Sequence, residues 1–498
     1  MKRSKFSLSH TNLLSCDMGE LVPISLMEVI PGDTFQHATS MLIRVSPLLA
    51  PVMHRVDARI HHFFVPMRLI WEDWEDFITG GPDGMDESVF PTKTLTYAAG
   101  PPATGNNTVG SLADYLGSVP AINNLEVSAL PFRAYSLIFN EFYRDQDLVT
   151  PLTIDLTSGV DTTTNTTLQN IAWEKDYFTS ARPWTQKGPE ITIPVLGQAP
   201  VIASGDEIPR FGAPTTAAPL TTSAGGGTAA VQINAGGASN IKWVTPNLEA
   251  DLSGTAAVTI NDLRTAFALQ RYEEARARWG SRYTEYLAYL GVRSSDARLQ
   301  RPEYLGGGKQ VIQFSEVLQT APDSEETIGV GNLNGHGIGA MRSNRYRRFF
   351  EEHGYVMSLL SVRPKTIYTQ GLARTWNRRV KEDFFQRELQ HIGQQEVQNR
   401  ELYAAHASPT GTFGYQDRYD EYRRMESRVS GEFRTTALDF WHMARQFSSE
   451  PTLNASFVTS NPTKRIHQVQ TEDVLWIMAN HSVQARRQVA ASGKSFIF

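Results

Sequence analysis

The segment Val56-Asp-Ala-Arg-Ile-His-His-Phe-Phe-Val65 carries the clearest strand pattern in the chain. Its side chains alternate with a period of two, which is typical of a strand in a sheet whose two faces differ. One face would carry Val56, Ala58, Ile60, His62 and Phe64, and the other Asp57, Arg59, His61 and Phe63. We therefore predict a core strand here, with two further strands nearby at residues 21–30 and 39–45.

Directly after this strand the apolar period changes to that of a helix. Residues 68–78 place Ile70, Trp71, Trp74, Phe77 and Ile78 at helical spacing, and Gly80-Gly81-Pro82 supplies the stop. This predicts a short amphipathic helix at the sheet edge. A second helix is predicted from Pro131 to about Asp145, with a core-forming aromatic stripe of Phe132, Tyr135, Phe139, Phe142 and Tyr143.

Residues 151–254 have a different character, with runs such as Thr162-Thr-Thr-Asn-Thr-Thr167 and Ser223-Ala-Gly-Gly-Gly-Thr228. They are poor in charge and in large apolar side chains, so they cannot bury much surface. We predict a surface excursion; a linker between two folding domains is the competing interpretation. Helical pattern resumes over 261–291, with Asn261 as N-cap and Gly291 at the end.

The glycine-rich residues 292–345 are predicted to be loop, and Gly335-His-Gly-Ile-Gly-Ala340 within them a flexible one. Residues 354–364 predict a buried strand closed by Pro364, and residues 431–440 are a weaker strand candidate. Strands near both ends of the chain, with long excursions between them, indicate one mainly β sheet system that carries large insertions.

The composition is that of a globular protein rich in turn formers, with 41% apolar and 20% charged residues, 37 glycines and 26 prolines. The formal charge of −5 excludes a global basic field, so any contact with nucleic acid must be local. The single cysteine, Cys16, excludes an intramolecular disulfide and fits folding in a reducing cytoplasm. No stretch approaches the roughly eighteen apolar residues of a spanning helix, so we expect no membrane insertion.

None of the common catalytic motifs is complete in this sequence. Residues 303–310 resemble a phosphate loop, but Glu303 replaces its leading glycine and Gln310 its Ser or Thr. The sequence has no Gly-x-Ser-x-Gly and no His-Glu-x-x-His motif. His61 and His62 would point to opposite faces of a strand and could not bind one metal ion together. We therefore predict no enzymatic activity, no cofactor and no metal.

Three basic clusters are candidates for contact with DNA or with a neighbouring subunit. Guanidinium groups grip phosphates while aromatic rings stack on unpaired bases, and the same residue types are enriched in protein interfaces. We favour a subunit interface over nucleic acid. The clusters are Arg342, Arg345, Tyr346, Arg347 and Arg348; Arg374, Trp376, Arg378, Arg379 and Lys381; and Arg486, Arg487 and Lys494.

Several long stretches resemble the major capsid proteins of the gokushovirus branch (Gokushovirinae) of the Microviridae, which are small single-stranded DNA bacteriophages. Two of them are Cys16-Asp-Met-Gly-Glu-Leu-Val-Pro-Ile24 and Ile70-Trp-Glu-Asp-Trp-Glu-Asp-Phe-Ile-Thr-Gly-Gly-Pro82. The others are residues 28–37, 46–54, 59–66, 291–308 and 315–320. These ordered matches frame nearly the whole chain, and residues 151–254 match least.

The resemblance implies an eight-stranded antiparallel jelly roll of the viral capsid type, with long insertion loops and a structural role. It implies a T=1 icosahedral shell of sixty copies, joined by pentamer and trimer contacts, around a circular single-stranded DNA genome. Assembly would take place in the bacterial host cytoplasm. The implied partners are a small basic DNA-binding protein, a minor pilot protein, an internal scaffolding protein and a host cell-surface receptor.

In such capsid proteins a large insertion forms a protrusion at each threefold axis. Residues 151–254 are the candidate for it here, with Thr221, Gly225, Gly226 and Gly227 as candidate surface residues. The whole chain, residues 1–498, would then be one jelly-roll domain that carries this insertion and the helical segment 261–291.

Two other protein classes compete with this interpretation. A metal-dependent cupin enzyme shares the jelly roll but needs a His-x-His pair facing the barrel interior, where this chain offers only His61-His62. A carbohydrate-binding spike protein predicts a discrete trimer instead of a closed shell. Electron microscopy of the expressed protein separates all three.

Overall fold

The long strands of this chain pair into one curled antiparallel sheet. The computed structural model describes residues 3–189, 191, 201–203, 210–211, 218–219, 248–250, 260–280, 282–293, 295–320 and 330–491. Ten strands pair in this sheet. They are β1 (Ser4–Ser7), β2 (His10–Cys16), β3 (Leu21–Val29), β4 (Thr34–Leu48), β5 (Val56–Pro66), β6 (Glu303–Leu318), β7 (Leu333–Arg342), β8 (Tyr346–Phe349), β9 (Gly354–Pro364) and β10 (Leu475–Arg487).

The order across the sheet is β1-β10-β4-β7-β6-β5-β9-β3, with β2 also pairing with β10 and β8 with β4. Strand β6 belongs to both halves, because residues 313–318 pair with β7 and residues 303–312 with β5. Sheet 1 therefore contains β1, β2, β10, β4, β7, β8 and the end of β6, and sheet 2 contains the start of β6 with β5, β9 and β3. The mainly β fold is confirmed, with a curled antiparallel sheet as expected for a capsid jelly roll. The predicted count of eight strands is not, since ten strands pair among the described residues.

The main core lies between the inward faces of the two sheets. This core is formed by apolar side chains from both sheets, most of them at every second residue of a strand. Sheet 1 contributes Ile43, Met341, Leu475 and Ile477, and sheet 2 contributes Ile24, Val56, Ile60 and Leu360. These side chains are buried between the two sheets, and this packing holds the sheets together as a sandwich.

A helical layer covers the outer face of sheet 2. The helices are α1 (Trp74–Thr79), α2 (Leu112–Tyr115) and α3 (Leu130–Ile138), and a π-helical turn, Phe139–Tyr143, extends α3. Phe132, Tyr135 and Ile138 of α3 are buried in one cluster with Phe63 and Met357 of the sheet. The predicted aromatic stripe therefore packs in a core, as expected.

Shorter elements fill the connections between the long strands. The remaining helices are α4 (Ile260–Trp279), α5 (Tyr283–Tyr289), α6 (Asn399–Leu402) and α7 (Ala455–Val458). Short 3-10 helices are Met67–Leu69, Arg374–Trp376, Lys381–Asp383, Glu388–His391, Asp420–Tyr422, Gly431–Arg434 and Asp439–Trp441. Small strand pairs are Thr92–Leu95 with Leu125–Ser128, Tyr97–Ala98 with Thr104–Gly105, and Gln394–Gln398 with Thr412–Asp417.

The chain divides into two compact units. The first contains residues 1–187 and 276–498, and therefore the whole jelly roll; residues 151–187 of the predicted insertion belong to it. The second contains residues 188–275, with the small pairs Val201–Ala203/Leu248–Ala250 and Arg210–Phe211/Ala218–Pro219. Most of α4 lies in the second unit. None of the described helices is long and apolar enough to cross a membrane.

The local predictions succeeded where apolar side chains mark the buried face. Strands β5 and β9 cover the predicted segments 56–65 and 354–364, β3 covers residues 21–29 of the predicted 21–30, and residues 39–45 lie within β4. The helix predicted over 68–78 is only partly formed, as the 3-10 turn Met67–Leu69 and α1. Gly80 ends α1 in the left-handed conformation with a φ of 87°.

The predicted loop over residues 292–345 was wrong. It contains β6 and β7, and the supposedly flexible segment Gly335–Ala340 lies inside β7. Three of the four buried positions of β7 are Gly335, Gly337 and Gly339, so Met341 is the only buried apolar side chain in this strand and the period-two apolar pattern is lost. Glycine is needed because the neighbouring strand approaches closely: a Cβ at Gly337 would lie 2.6 Å from Val45 Cγ2.

Two further strand assignments differ from the sequence-based ones. Residues 431–440 form the 3-10 helices Gly431–Arg434 and Asp439–Trp441 instead of the strand considered for them. Strand β10 was not predicted, although its odd positions from Leu475 to Ala485 are all buried. Its exposed Trp476 and Met478 obscure the alternation, because large apolar side chains stand on both faces.

Candidate nucleic-acid and subunit interface

The first basic cluster divides between surface and interior. Arg342, Arg345 and Arg347 are exposed, and Arg348 forms an ion pair with Glu303, with a distance of 2.9 Å between Arg348 Nη2 and Glu303 Oε1. Tyr346 is buried instead, and its hydroxyl lies 3.1 Å from His37 Nδ1. In this chain the Tyr346 ring is therefore not available to stack on a base beside these arginines.

In the second cluster, two arginines are held by carboxylates of the same chain. Arg374 lies 2.9 Å from Glu401 and 3.6 Å from Glu421, and Arg378 lies 3.6 Å from Glu421. The Arg378 guanidinium also sits 4.5 Å from the centre of the Tyr422 ring. Burial raises the pKa of Glu401, although the Arg374 charge beside it favours the carboxylate. These two arginines hold the loops together, which leaves less of their charge for an external partner.

The remaining members of this cluster are at the surface. Trp376 is 68% exposed, and Arg379 and Lys381 are exposed. Phe384 and Phe385 lie nearby, with the Arg378 guanidinium 5.4 Å from the centre of the Phe384 ring. This part of the cluster is the one that fits a protein interface.

The third cluster also splits, because consecutive residues of β10 point to opposite faces. Arg486 is exposed, while Arg487 turns inward to the fully buried Asp33, with a distance of 3.0 Å. Burial raises the pKa of Asp33, and the Arg487 guanidinium opposes that rise. Lys494 lies outside the described residues, as do the protrusion candidates Thr221, Gly225, Gly226 and Gly227.

Strand register places three of these arginines, from β7, β8 and β10, on the outer face of sheet 1. Arg342, Arg347 and Arg486 all point outward there, opposite Ser40, Gln36 and Thr34 of β4 respectively. Lys5, Arg44 and Trp476 share this face, and the sequence analysis missed them. The sequence carried little signal for Trp476, because the large apolar side chains on the outer face of β10 obscure its alternation.

The two adjacent histidines of β5 face opposite sides, as predicted. His61 Nδ1 lies 2.7 Å from the Tyr143 hydroxyl in the layer outside sheet 2. His62 faces the sandwich interior, where its ring nitrogens lie 2.8 Å from Ser358 Oγ and 3.2 Å from Ser343 Oγ. Both rings therefore have structural hydrogen-bond partners.

Known proteins match the chain along almost its whole length. A family model described as "Capsid protein (F protein)" matches residues 1–496. The chain is 37% identical to capsid protein VP1 of Bdellovibrio phage phiMH2K, over 92% of this chain and 88% of that one. It is 34% identical to VP1 of Chlamydia phage 1, over 93% and 90%, and 32% identical to VP1 of Spiroplasma virus 4, over 92% and 87%.

These relatives carry a structural role in their names, and their aligned length leaves no large part of the jelly roll unmatched. The predicted resemblance is confirmed: the chain belongs to the phage capsid protein (F protein) family, as a gokushovirus-type major capsid protein and a structural component of the virion.

Proposed function

We propose that this capsid protein self-assembles into a T=1 icosahedral shell of sixty copies that encloses a circular single-stranded DNA genome. The observation that carries the proposal is the family match over residues 1–496, because it includes the jelly roll and its connecting segments together. A shell needs surfaces by which identical chains bind one another, and the described residues offer one.

That surface is an apolar loop patch formed by Trp376, Val380, Phe384, Phe385 and Met425, each more than half exposed. The neighbouring Tyr422 ring lies 6.2 Å from Phe385, which links the two segments of the patch. Obligate interfaces between identical chains are rich in aromatic residues and methionine, and such side chains are costly to leave in water. We assign the patch to contact between subunits.

Charge supports a separate DNA-neutralising component. Sixty chains that each carry −5 give about −300, which repels a polyanionic genome. A small basic DNA-binding protein is therefore the expected partner inside the shell. Shells that retain their full DNA content without any second basic component would contradict this part of the proposal.

We further propose that the predicted insertion, residues 151–254, supplies the surface protrusion through residues 188–254, because residues 151–187 belong to the unit that contains the jelly roll. We also propose that the shell takes up a minor pilot protein and requires an internal scaffolding protein. Deletion of residues 205–240 tests the protrusion. Shells should still form, while attachment to the receptor on the host cell surface changes. Loss of all assembly would count against a purely external role for this segment.

Assembly itself is tested by co-expressing the full chain with the scaffolding protein of its phage in a bacterium and imaging the product by negative-stain electron microscopy. Closed particles of one size are expected. Discrete trimers would favour a spike protein, and soluble monomers in the presence of scaffold would overturn the shell proposal.

A further inference from the structure

The two sheets of the jelly roll differ in what covers their outer faces. Sheet 2 is covered by α3 and its neighbours, which bury Phe63, Val65 and Met357. The outward side chains of sheet 1 stay exposed: in β7 every second residue from Asn334 to Arg342 is at the surface, and β10 shows the same alternation from Trp476 to Ser482. A broad sheet face is therefore open to a partner.

The register places basic and apolar side chains in rows across this face. One row contains Trp476, Arg44 and Ile338, and the next contains Leu13, Met478, Leu42 and Ala340. Further along β4, Arg342 lies opposite Ser40 and Arg347 opposite Gln36. The last row contains Lys5, Arg486, Thr34 and Phe349. We call the whole surface the sheet 1 face.

Five cations stand on the sheet 1 face: Lys5, Arg44, Arg342, Arg347 and Arg486. All are exposed, and none forms an ion pair with a carboxylate in the described part of the chain. None of the outward positions in these rows is Asp or Glu. The contrast with Arg348 and Arg487, which point away from this face and are paired with Glu303 and Asp33, shows that the unpaired charge is local.

The cations are spread in a line along the strands and do not cluster at one position. Arg44 and Thr34 are ten residues apart on β4, which corresponds to about 34 Å in an extended strand. Trp476 stands at one end of this line and Phe349 at the other, 46% and 48% exposed. An extended polyanion with flat, apolar rings matches this arrangement, because phosphates meet the cations while unpaired bases stack on the aromatic side chains.

We propose that the sheet 1 face binds single-stranded DNA. The inference rests on the proposed enclosure of a DNA genome and assigns the protein surface that contacts it. Duplex DNA fits less well, because its bases are already stacked and cannot reach Trp476. An acidic peptide would satisfy the cations but would make no use of an exposed aromatic surface at both ends.

The test measures binding of the unassembled full chain to a fluorescein-labelled mixed-sequence DNA strand of about 20 nucleotides, longer than the roughly 4–16 nucleotides of a typical site. Fluorescence anisotropy is recorded over a range of salt concentrations from about 50 mM. The variants are the double substitution Arg44→Gln with Arg342→Gln, and Trp476→Leu. Arg298→Gln and Lys365→Gln are the controls, because both side chains are exposed cations that lie outside the sheet 1 face.

The double variant should raise Kd at least about tenfold and reduce the slope of log Kd against log salt by roughly 1.4, the value for two lost phosphate contacts with a single strand. Trp476→Leu should raise Kd about fivefold or more through lost stacking and leave the slope unchanged. Both controls should bind like the original chain. Thermal melting should be the same for all variants, because these side chains have no partner within the described fold.

Three results would overturn the inference: no DNA binding by the original chain at the lowest salt, equal weakening by the control substitutions, or competition by poly-glutamate as effective as that of unlabelled DNA. Each leaves the shell proposal standing, since particle formation is judged separately by microscopy. Conversely, variants that assemble into shells but lose DNA affinity would support the sheet 1 face while confirming that assembly does not depend on it.

Discussion

His37 Nε2 and His481 Nδ1 lie 3.3 Å apart in the interior of the jelly roll, on paired strands, although the residues are 444 positions apart in the chain. The His62 ring completes the group, with its centre 4.6 Å from that of His37. All three histidines are fully buried. Burial, with the neighbouring imidazoles adding to it, lowers the pKa of His37 to about 2, of His62 to about 3 and of His481 to about 4.

This buried histidine group predicts a loss of stability in acid. Above a pH of about 6.5 the histidines are neutral in both folded and unfolded chains, so they do not lower the free energy of unfolding. As the pH falls from 6.5 towards 4, only the unfolded chain takes up protons, and the free energy of unfolding falls by up to about 1.4 kcal/mol per pH unit for each histidine. Urea unfolding of the unassembled protein at several pH values measures this slope.

The matched variants for this experiment are His37→Gln and His391→Gln. His37→Gln removes one buried titrating group and should flatten the slope between pH 6.5 and 4. His391 is exposed, so its replacement should leave the slope unchanged. Equal slopes in the original chain and the His37 variant would show that the group does not control acid stability.

The buried ion pair between Arg133 and Asp161 predicts a second effect on stability. Both side chains are fully buried, with 2.9 Å between Arg133 Nε and Asp161 Oδ2, and the guanidinium also donates to the Ile70 and Thr157 carbonyls. Arg133→Met should lower the free energy of unfolding by about 3 kcal/mol, because the Ile70 and Thr157 carbonyls lose this donor and Asp161 keeps only one of its two buried cations, Lys93 at 3.5 Å. Arg68→Met breaks a partly exposed pair with Glu352 and should cost about 0–1 kcal/mol.

The same urea titrations measure both substitutions. A loss for Arg133→Met no larger than that for Arg68→Met would mean that Lys93 and Thr164 are sufficient partners for Asp161, and that the pair does not anchor α3 to the neighbouring loop.

The glycines of β7 predict a contrast within one strand. A Cβ at Gly335 would lie 2.5 Å from the Ala50 carbonyl oxygen, whereas a Cβ at Gly339 would meet nothing closer than Ile312 Cγ1 at 3.4 Å. Gly335→Ala should therefore destabilise the protein by about 1–3 kcal/mol. Gly339→Ala should be neutral or stabilise by up to about 1 kcal/mol, because it restricts the unfolded chain. Thermal melting of the two variants decides between these outcomes; similar melting temperatures would contradict the close contact between Gly335 and the Ala50 carbonyl.

The apolar loop patch predicts a defect in assembly without a defect in folding. Trp376→Ala should reduce shell yield at least about tenfold, as expected for the loss of a buried aromatic anchor at an interface. Circular dichroism and melting of the unassembled protein should not change, because Trp376 is mostly exposed. Met85→Ala, which removes another exposed apolar side chain outside the patch, is the control for yield. Unchanged shell yield for Trp376→Ala would remove the patch from the subunit contacts.

The predictable part of the fold is the part with local apolar patterns. Strands β5 and β9 are buried over most of their length, and their apolar runs are visible in the sequence. Strand β7 was not predictable by the same means, because three of its inward positions are glycine. At Gly337 the reason for glycine is the approach of β4, nearly three hundred residues earlier in the chain.

The candidate site shows the same division. The basic clusters were visible as runs of arginine, but only strand direction and loop packing decide which charges are free. Arg486 and Arg487 are consecutive but face opposite sides, because side chains alternate across a strand. Arg486 is exposed, and Arg487 pairs with the buried Asp33. Arg44 is isolated in the sequence, and Lys5 lies in the basic N-terminal run. Both join the sheet 1 face only through cross-strand pairing.

Local residue patterns were enough to predict a mainly β fold, and the long ordered motifs were enough to indicate the capsid family and, through that resemblance, the jelly roll. Both depend on residue patterns that are short in range or retained in order along the chain. The tertiary structure alone decided that the glycine-rich segment is a central strand, that Tyr346 and three histidines are interior, and which cations are unpaired on the outer face of sheet 1. Those outcomes depend on contacts between residues hundreds of positions apart, where pairing geometry rather than local propensity determines burial.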